Sequence, residues 1–267
     1  MYLAHWGLVK SPFAPGPTPP LYYEGEGQAE ASARLRFMAR HGRRLAVVVG
    51  SSGIGKTATL ARCAAERRRE GRPTALINLA GLSVRELLWQ LAGQLALGPQ
   101  PGDDAISLFR RVAAYADALR WEPLGACIIL DDADQAGPDV RSQLLRLANL
   151  GAEEPRLTLT LAATPAGVGR LGHELLAAAD LRIELEPFSD AETVGYVQHA
   201  LLEAGCDRPA FDDEALAVLA TLSGGVPRQV NRLADHALLA AAMDELDAVD
   251  AATVEASHDA LGWIAAA

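Results

Sequence analysis

Leu45-Ala46-Val47-Val48-Val49-Gly50-Ser51-Ser52-Gly53-Ile54-Gly55-Lys56-Thr57 reads as a short apolar strand running into a complete G-x-x-x-x-G-K-[ST] loop. A helical stretch follows from Lys56 to about Arg69, so the motif has the strand-loop-helix context that it needs. Glycines at 50, 53 and 55 let the backbone adopt positive φ and bring successive N–H groups toward phosphate oxygens, beside the positive end of the helix dipole. The nucleotide-binding stretch is therefore Gly50, Ser51, Ser52, Gly53, Ile54, Gly55, Lys56, Thr57 and Ala58. Lys56 is expected to reach the β- and γ-phosphates, and the Thr57 hydroxyl to ligate Mg²⁺. Only two lysines stand against 22 arginines in the whole chain, and one of them occupies this position. The loop wraps a compact ammonium, which the planar fork of arginine replaces poorly.

Outward from the loop, strand and helix alternate. Leu45 to Val49, Thr74 to Asn78, Ala126 to Asp131, Leu157 to Ala163 and Leu181 to Leu185 are short, nearly unbroken apolar runs separated by helical stretches. The expected fold class is α/β, with a five-stranded parallel sheet between helices. Cys127-Ile128-Ile129-Leu130-Asp131-Asp132 ends in two carboxylates at a strand's carboxyl end, where the phosphate loop also lies. Asp131 is expected in the Mg²⁺ shell, and Asp132 is the candidate to orient and polarise an attacking water. Thr164, after the fourth strand, puts a hydroxyl at the same edge, in reach of a γ-phosphate or of the water; strand-end threonines are also common turn formers.

After Pro187 the strands stop. Helical stretches at about Asp190 to Ala204, Asp212 to Leu222, Val226 to Ala241 and Asp250 to Leu261, several behind Asp or Ser caps, predict a small all-helical domain. Three parts are expected: 1–42, an extended segment and first helix; 43–187, the α/β domain; and 188–267, the helical domain. Ser11 to Pro20 is proline-rich and expected to run extended. Trp6, Leu8, Phe13, Tyr22 and Tyr23 are too apolar for a free tail and are expected to pack on the globular body.

Composition narrows the function. No apolar run reaches the ~18 residues of a membrane span, and Met1 to Lys10 has no secretory pattern, so a cytoplasmic chain is expected. Cys63, Cys127 and Cys206 lie far apart and, with six scattered histidines, offer no zinc spacing; the expected metal is nucleotide-bound Mg²⁺ alone. Net charge is −10 but uneven: Glu30 to Arg72 holds 11 basic and 3 acidic side chains, and Glu186 to Ala267 holds 3 basic and 15 acidic. Opposite fields at the two ends can steer copies of the chain together or recruit a basic partner, or can be solvated surfaces with no partner. Arg34, Arg36, Arg40, Arg43, Arg44, Arg62, Arg67, Arg68, Arg69 and Arg72 supply charge for DNA phosphates, although Arg67-Arg68-Arg69 also suits a helix C-terminus.

Several stretches together resemble one family. Met1-Tyr2-Leu3-Ala4-His5-Trp6-Gly7-Leu8 with Ser11-Pro12-Phe13, Leu21-Tyr22-Tyr23, the phosphate loop, Leu130-Asp131-Asp132-Ala133-Asp134-Gln135, Glu186-Pro187-Phe188 with Glu192-Thr193, and Ser223-Gly224-Gly225-Val226-Pro227-Arg228-Gln229-Val230-Asn231 occur in order across nearly the whole chain. They resemble the AAA+ ATPases of the general secretion pathway protein A (ExeA) type; the related TnsC-type transposition ATPases share the same core. The resemblance implies ATP hydrolysis, an ATP-dependent homo-oligomeric ring or filament, and a switch or assembly role on a partner protein. Its alternatives are a DNA-binding regulator and a nucleotide-dependent scaffold with little turnover. It implies a sensor role for Arg228 in a helical lid, a trans-acting arginine at Arg182 with Arg170 as competitor, and an adenine-side position for the region of Trp6, Phe13 and Tyr22. The family's usual Asp-Glu-Ala-Gln is here Asp131-Asp132-Ala133-Asp134-Gln135, one methylene shorter at the second acid, which implies slow hydrolysis. The membrane span and peptidoglycan-binding extension of full-length secretion members are not expected, nor is a direct role in opening the cell wall.

Overall fold

The computed structural model describes residues 2–13, 22–150 and 156–265. Along the chain come α1 (Tyr2–His5), α2 (Glu26–Arg40), β1 (Leu45–Gly50), α3 (Lys56–Arg69), β2 (Thr74–Asn78), α4 (Val84–Gln94) and α5 (Ala105–Ala118). Then follow β3 (Ala126–Asp131), α6 (Pro138–Ala148), β4 (Leu157–Ala163), α7 (His173–Ala177), β5 (Leu181–Leu185), α8 (Asp190–Glu203), α9 (Asp213–Ser223), α10 (Pro227–Met243) and α11 (Ala251–Ala265). The chain forms two compact units. One holds Gln28–Ser52 and Lys56–Leu185; the other holds the residues up to Gly27, Gly53–Gly55 and those from Glu186 onward.

In the first unit the strands form one parallel sheet in the order β2-β3-β4-β1-β5, as the alternating pattern predicts. β1, β3 and β4 are buried at every position, which is why their sequences are apolar runs without alternation. β5 lies at an edge and alternates: Arg182 and Glu184 are exposed, Ile183 and Leu185 buried. Strand residues such as Val47, Ile77, Ile128 and Leu161 share a core with Leu87 and Leu91 of α4 and Val140 and Leu144 of α6. Ser83 and Glu86 close a capping box at the start of α4, satisfying two of its orphan N–H groups.

α8 to α11 build the core of the second unit from Val197, Leu201, Leu219, Val230, Leu233 and Leu238, joined by Trp6, Leu8 and Phe13. Trp6 is 1% exposed and donates its indole N–H to the Leu238 carbonyl at 2.9 Å, while the Tyr2 hydroxyl donates to Asp235 at 2.8 Å. The opening aromatics thus complete the hydrophobic core of the helical unit, as their apolar character predicts. Tyr23 extends that core, meeting Phe188 and Tyr196 edge-on at 5.6 and 5.7 Å. Most of the proline-rich run expected to be extended, Ala14 to Pro20, lies outside the described residues.

The Ser223-Gly224-Gly225-Val226-Pro227 turn has a physical reason for its residue types. Gly224 ends α9 at φ +55°, and Gly225 follows at φ +65° with its α-carbon against the Phe188 backbone; a Cβ there would overlap the Phe188 carbonyl oxygen. The Phe188 N–H donates to the Gly225 carbonyl at 2.9 Å, so the contact is also a hydrogen bond. Pro227 then starts α10, where its fixed φ and missing N–H cost nothing. Gly225→Ala is expected to remove about 2 kcal/mol or more of stability from the helical unit, because backbone rather than a flexible side chain must move. A urea unfolding midpoint unchanged by the substitution would contradict this.

Candidate nucleotide site

β1 delivers the chain to Gly50, and the loop turns through Gly53 at φ +84° and Gly55 at φ +98°, conformations that strain any residue with a Cβ. Ile54 between them is fully buried and anchors the turn. Lys56 opens α3 and is 7% exposed; its Nζ donates to the Gly50 carbonyl at 2.8 Å and to the Ser51 carbonyl at 3.1 Å. Its ammonium is therefore folded into the concave side of its own loop. Ser51, Ser52 and Thr57 are exposed at the same turn, and Ala58 is half-buried behind Thr57.

Because β4 lies between β3 and β1, the carboxyl ends of three adjacent strands converge on this loop. The Thr57 hydroxyl donates to Oδ2 of Asp131 at 2.5 Å, and the other carboxylate oxygen, Oδ1, accepts from the Asp132 N–H at 3.0 Å. Asp131 is 2% exposed. An alcohol and a carboxylate held in contact are hard oxygen donors that can take neighbouring positions on Mg²⁺, so the residues present fit that ion. Among the described residues no cluster of three or more His, Cys, Asp or Glu could hold a metal.

Asp132 takes a left-handed conformation, φ +50° and ψ 41°, which a short polar side chain tolerates better than a long or branched one. Its Oδ2 accepts from Nδ2 of Asn78 at 2.8 Å. Sequence reasoning missed Asn78. The available signal was its place at the end of β2, beside Asp131 in the strand register, although that register itself is a tertiary fact.

Thr164 follows β4 at the same edge of the sheet. Its hydroxyl donates to Oδ2 of Asp134 at 2.6 Å and accepts from the Gly167 N–H at 3.0 Å, so it is engaged within the turn after β4. Asp134, 3% exposed, also accepts from the Thr164 N–H at 3.2 Å and lies 3.7 Å from Nη2 of the exposed Arg170. A Cβ on Gly167 would overlap that same carboxylate oxygen. Asp134 thus organises the turn from within.

The remaining arginines separate. Arg182 pairs with Val47 in the strand register, short of the loop, and its exposed guanidinium meets Glu184 at 2.8 Å. Arg228, second residue of α10, donates its backbone N–H to the Gly53 carbonyl at 3.2 Å, and its Cβ lies 2.7 Å from where a Cβ on Gly53 would stand. Gly53 clusters with the helical unit, so this contact is internal to that unit. Many of the ten arginines counted toward DNA meet carboxylates or carbonyls: Arg36 and Arg62 pair with Glu66, Arg67 with Glu70, and Arg68 donates to the Thr74 carbonyl. All three cysteines are free and buried, and desolvation pushes the Cys127 thiol up to about 11, where it is inert.

A parallel sheet in this order, a glycine loop cradling a lysine, and a threonine-aspartate pair beside it are the fold and site of the AAA+ ATPase family. The family model described as "AAA domain" matches residues 39–171, and the chain belongs to that family. Within it, the chain is similar to general secretion pathway protein A of Aeromonas hydrophila, with 32% identity over 247 residues, covering 90% of this chain and 45% of that protein. The chain therefore spans about half the length of that relative. Among solved structures it is similar to the Aeropyrum pernix ORC2 protein in its ADPNP-ADP complexes, with TM-score 0.70 and 18% identity over 94% of this chain and 71% of that one. It is also similar to the Aeropyrum pernix ORC1 protein in complex with DNA, with TM-score 0.68 and 17% identity over 94% of this chain and 68% of that one. At such identities the likeness is one of fold. Among the described residues no helix is long and apolar enough to cross a membrane.

Proposed function

We propose that this chain binds ATP at the loop from Gly50 to Ala58, hydrolyses it slowly, and uses the bound state to assemble with copies of itself and act as a switch on a partner protein. The observation that carries this reading is the contact of Thr57 with Asp131 beside the ammonium of Lys56. In the reading, Lys56 exchanges its loop carbonyls for β- and γ-phosphate oxygens, and the loop N–H groups hold the rest of the chain of phosphates. Thr57 and Asp131 would hold Mg²⁺, which would supply neutralisation of phosphate charge. Asp132 accepts the proton of the attacking water, Arg228 senses the nucleotide from α10, and Arg182 or Arg170 serves the site of a neighbouring copy. Thr164 supports the turn that carries Arg170.

The test is sedimentation with a slowly hydrolysed ATP analogue and Mg²⁺. Assembly that appears with the analogue and disappears in Lys56→Ala is expected; a chain that stays monomeric at saturating nucleotide contradicts the assembly step. The similarity to a secretion protein makes a secretion component the first partner to try, and the cytoplasm the expected location. A second reading, a scaffold that binds ATP with little turnover, is favoured by the short Asp132 side chain and its tie to Asn78. Phosphate release separates the two.

A further inference from the structure

A cavity of about 320 Å³ opens at the amino-terminal edge of the sheet, the edge opposite Gly50 and Asp131. It is lined by residues that lead into successive parallel strands: Arg40 and His41 ahead of β1, Arg72 ahead of β2, Gly125 ahead of β3, and Arg156 with Thr158 at β4. The lining is polar and basic. Arg72 is 9% exposed; its Nη1 donates to the Gly125 carbonyl at 3.1 Å, while its Nε has no hydrogen-bond partner. Arg156 is exposed, and its side chain makes no hydrogen bond or ion pair among the described residues. Among the described residues Arg40 reaches only Glu70, at 3.9 Å, and that carboxylate already meets Arg67 at 3.3 Å.

A guanidinium cannot shed its proton, so a buried one with an unsatisfied N–H keeps its full desolvation cost until an anion or another acceptor meets it. Three arginines around one opening suit an oxyanion with several acceptor oxygens, and phosphate matches their planar forks. Beside the cavity, His41 stacks on Phe37 at 4.0 Å and 25°, and Phe37 is half-exposed, so a group attached to the phosphate would find an aromatic surface there.

We propose that this cavity, lined by Arg40, Arg72 and Arg156, is a second phosphate-binding site, separate from the nucleotide loop. It takes a phosphate group, free or carried in a nucleic-acid backbone. The inference does not depend on the ATP reading, and its test is made in the Lys56→Ala variant of this chain, where the loop site is disabled.

Titrating that protein with inorganic phosphate by calorimetry should show one saturable site. Arg156→Ser, an exposed change, should weaken it by about tenfold, the loss of one charge-assisted contact. Arg72→Gln should weaken it as well if circular dichroism shows the variant folded. Competition by a short single-stranded oligonucleotide assigns the site to nucleic-acid backbone, and phosphate binding without such competition assigns it to the free ion. No saturable phosphate binding, or an affinity unchanged by Arg156→Ser, overturns the proposal and leaves the loop site untouched.

Discussion

Lys56→Ala should lower the affinity for ATP by at least about a hundredfold, since truncating one partner of a buried, hydrogen-bonded charge contact costs roughly 2–5 kcal/mol. The side chain is buried in the loop with its ammonium on the Gly50 and Ser51 carbonyls, so in the absence of nucleotide it also ties the loop together. In the proposed ATP complex those two neutral acceptors give way to phosphate oxygens carrying formal charge, and the difference between the two sets is what the substitution would remove. Fold should survive, because Ile54 and the strand beneath the loop are unaffected. Equilibrium binding of a fluorescent ATP analogue checks this, and an affinity within a few-fold of the parent chain would contradict it.

The second large effect concerns turnover. Asp132→Asn should reduce phosphate release by about 10²- to 10⁴-fold while leaving nucleotide affinity nearly unchanged, the range expected when a general base is lost. Asp132 stands at φ +50° with its carboxylate held by Asn78, so the residue carries both a conformational and an electrostatic constraint. Asp132→Glu adds the methylene that the family usually has and should raise turnover, at a cost of about 1 kcal/mol in stability from the left-handed backbone. If Asp132→Asn turns over at the parent rate, the base lies elsewhere.

Much of the sheet is legible because burial dictates composition. β2, β3, β4 and β5 begin and end where their apolar runs do, and β1 runs one residue further, through Gly50. The helices after Pro187 are legible from their caps. Ser189 and Asp212 accept from the third helical N–H, and Asp212 proves to be the cap rather than the first turn of its helix. Lys56, Thr57 and Asp131 are readable because chemistry fixes both their types and their spacing. Asn78 and the Asp134-Thr164-Gly167 arrangement are not readable, because each depends on which strand ends lie side by side, and β2 meets β3 across 47 intervening positions in the chain. The basic cavity is illegible for the same reason: Arg40, Arg72 and Arg156 belong to separate segments and meet only where parallel strands start together.

The central claim is that Lys56, Thr57 and Asp131 form a working ATP site, and a calorimetric titration of the purified chain with ATP and Mg²⁺ tests it most directly. One ATP bound per chain, with the heat lost in Lys56→Ala and weakened when Asp131 is changed to asparagine, is the predicted result. An absence of saturable heat with the parent chain, together with an unfolding temperature that ATP does not raise, would contradict it.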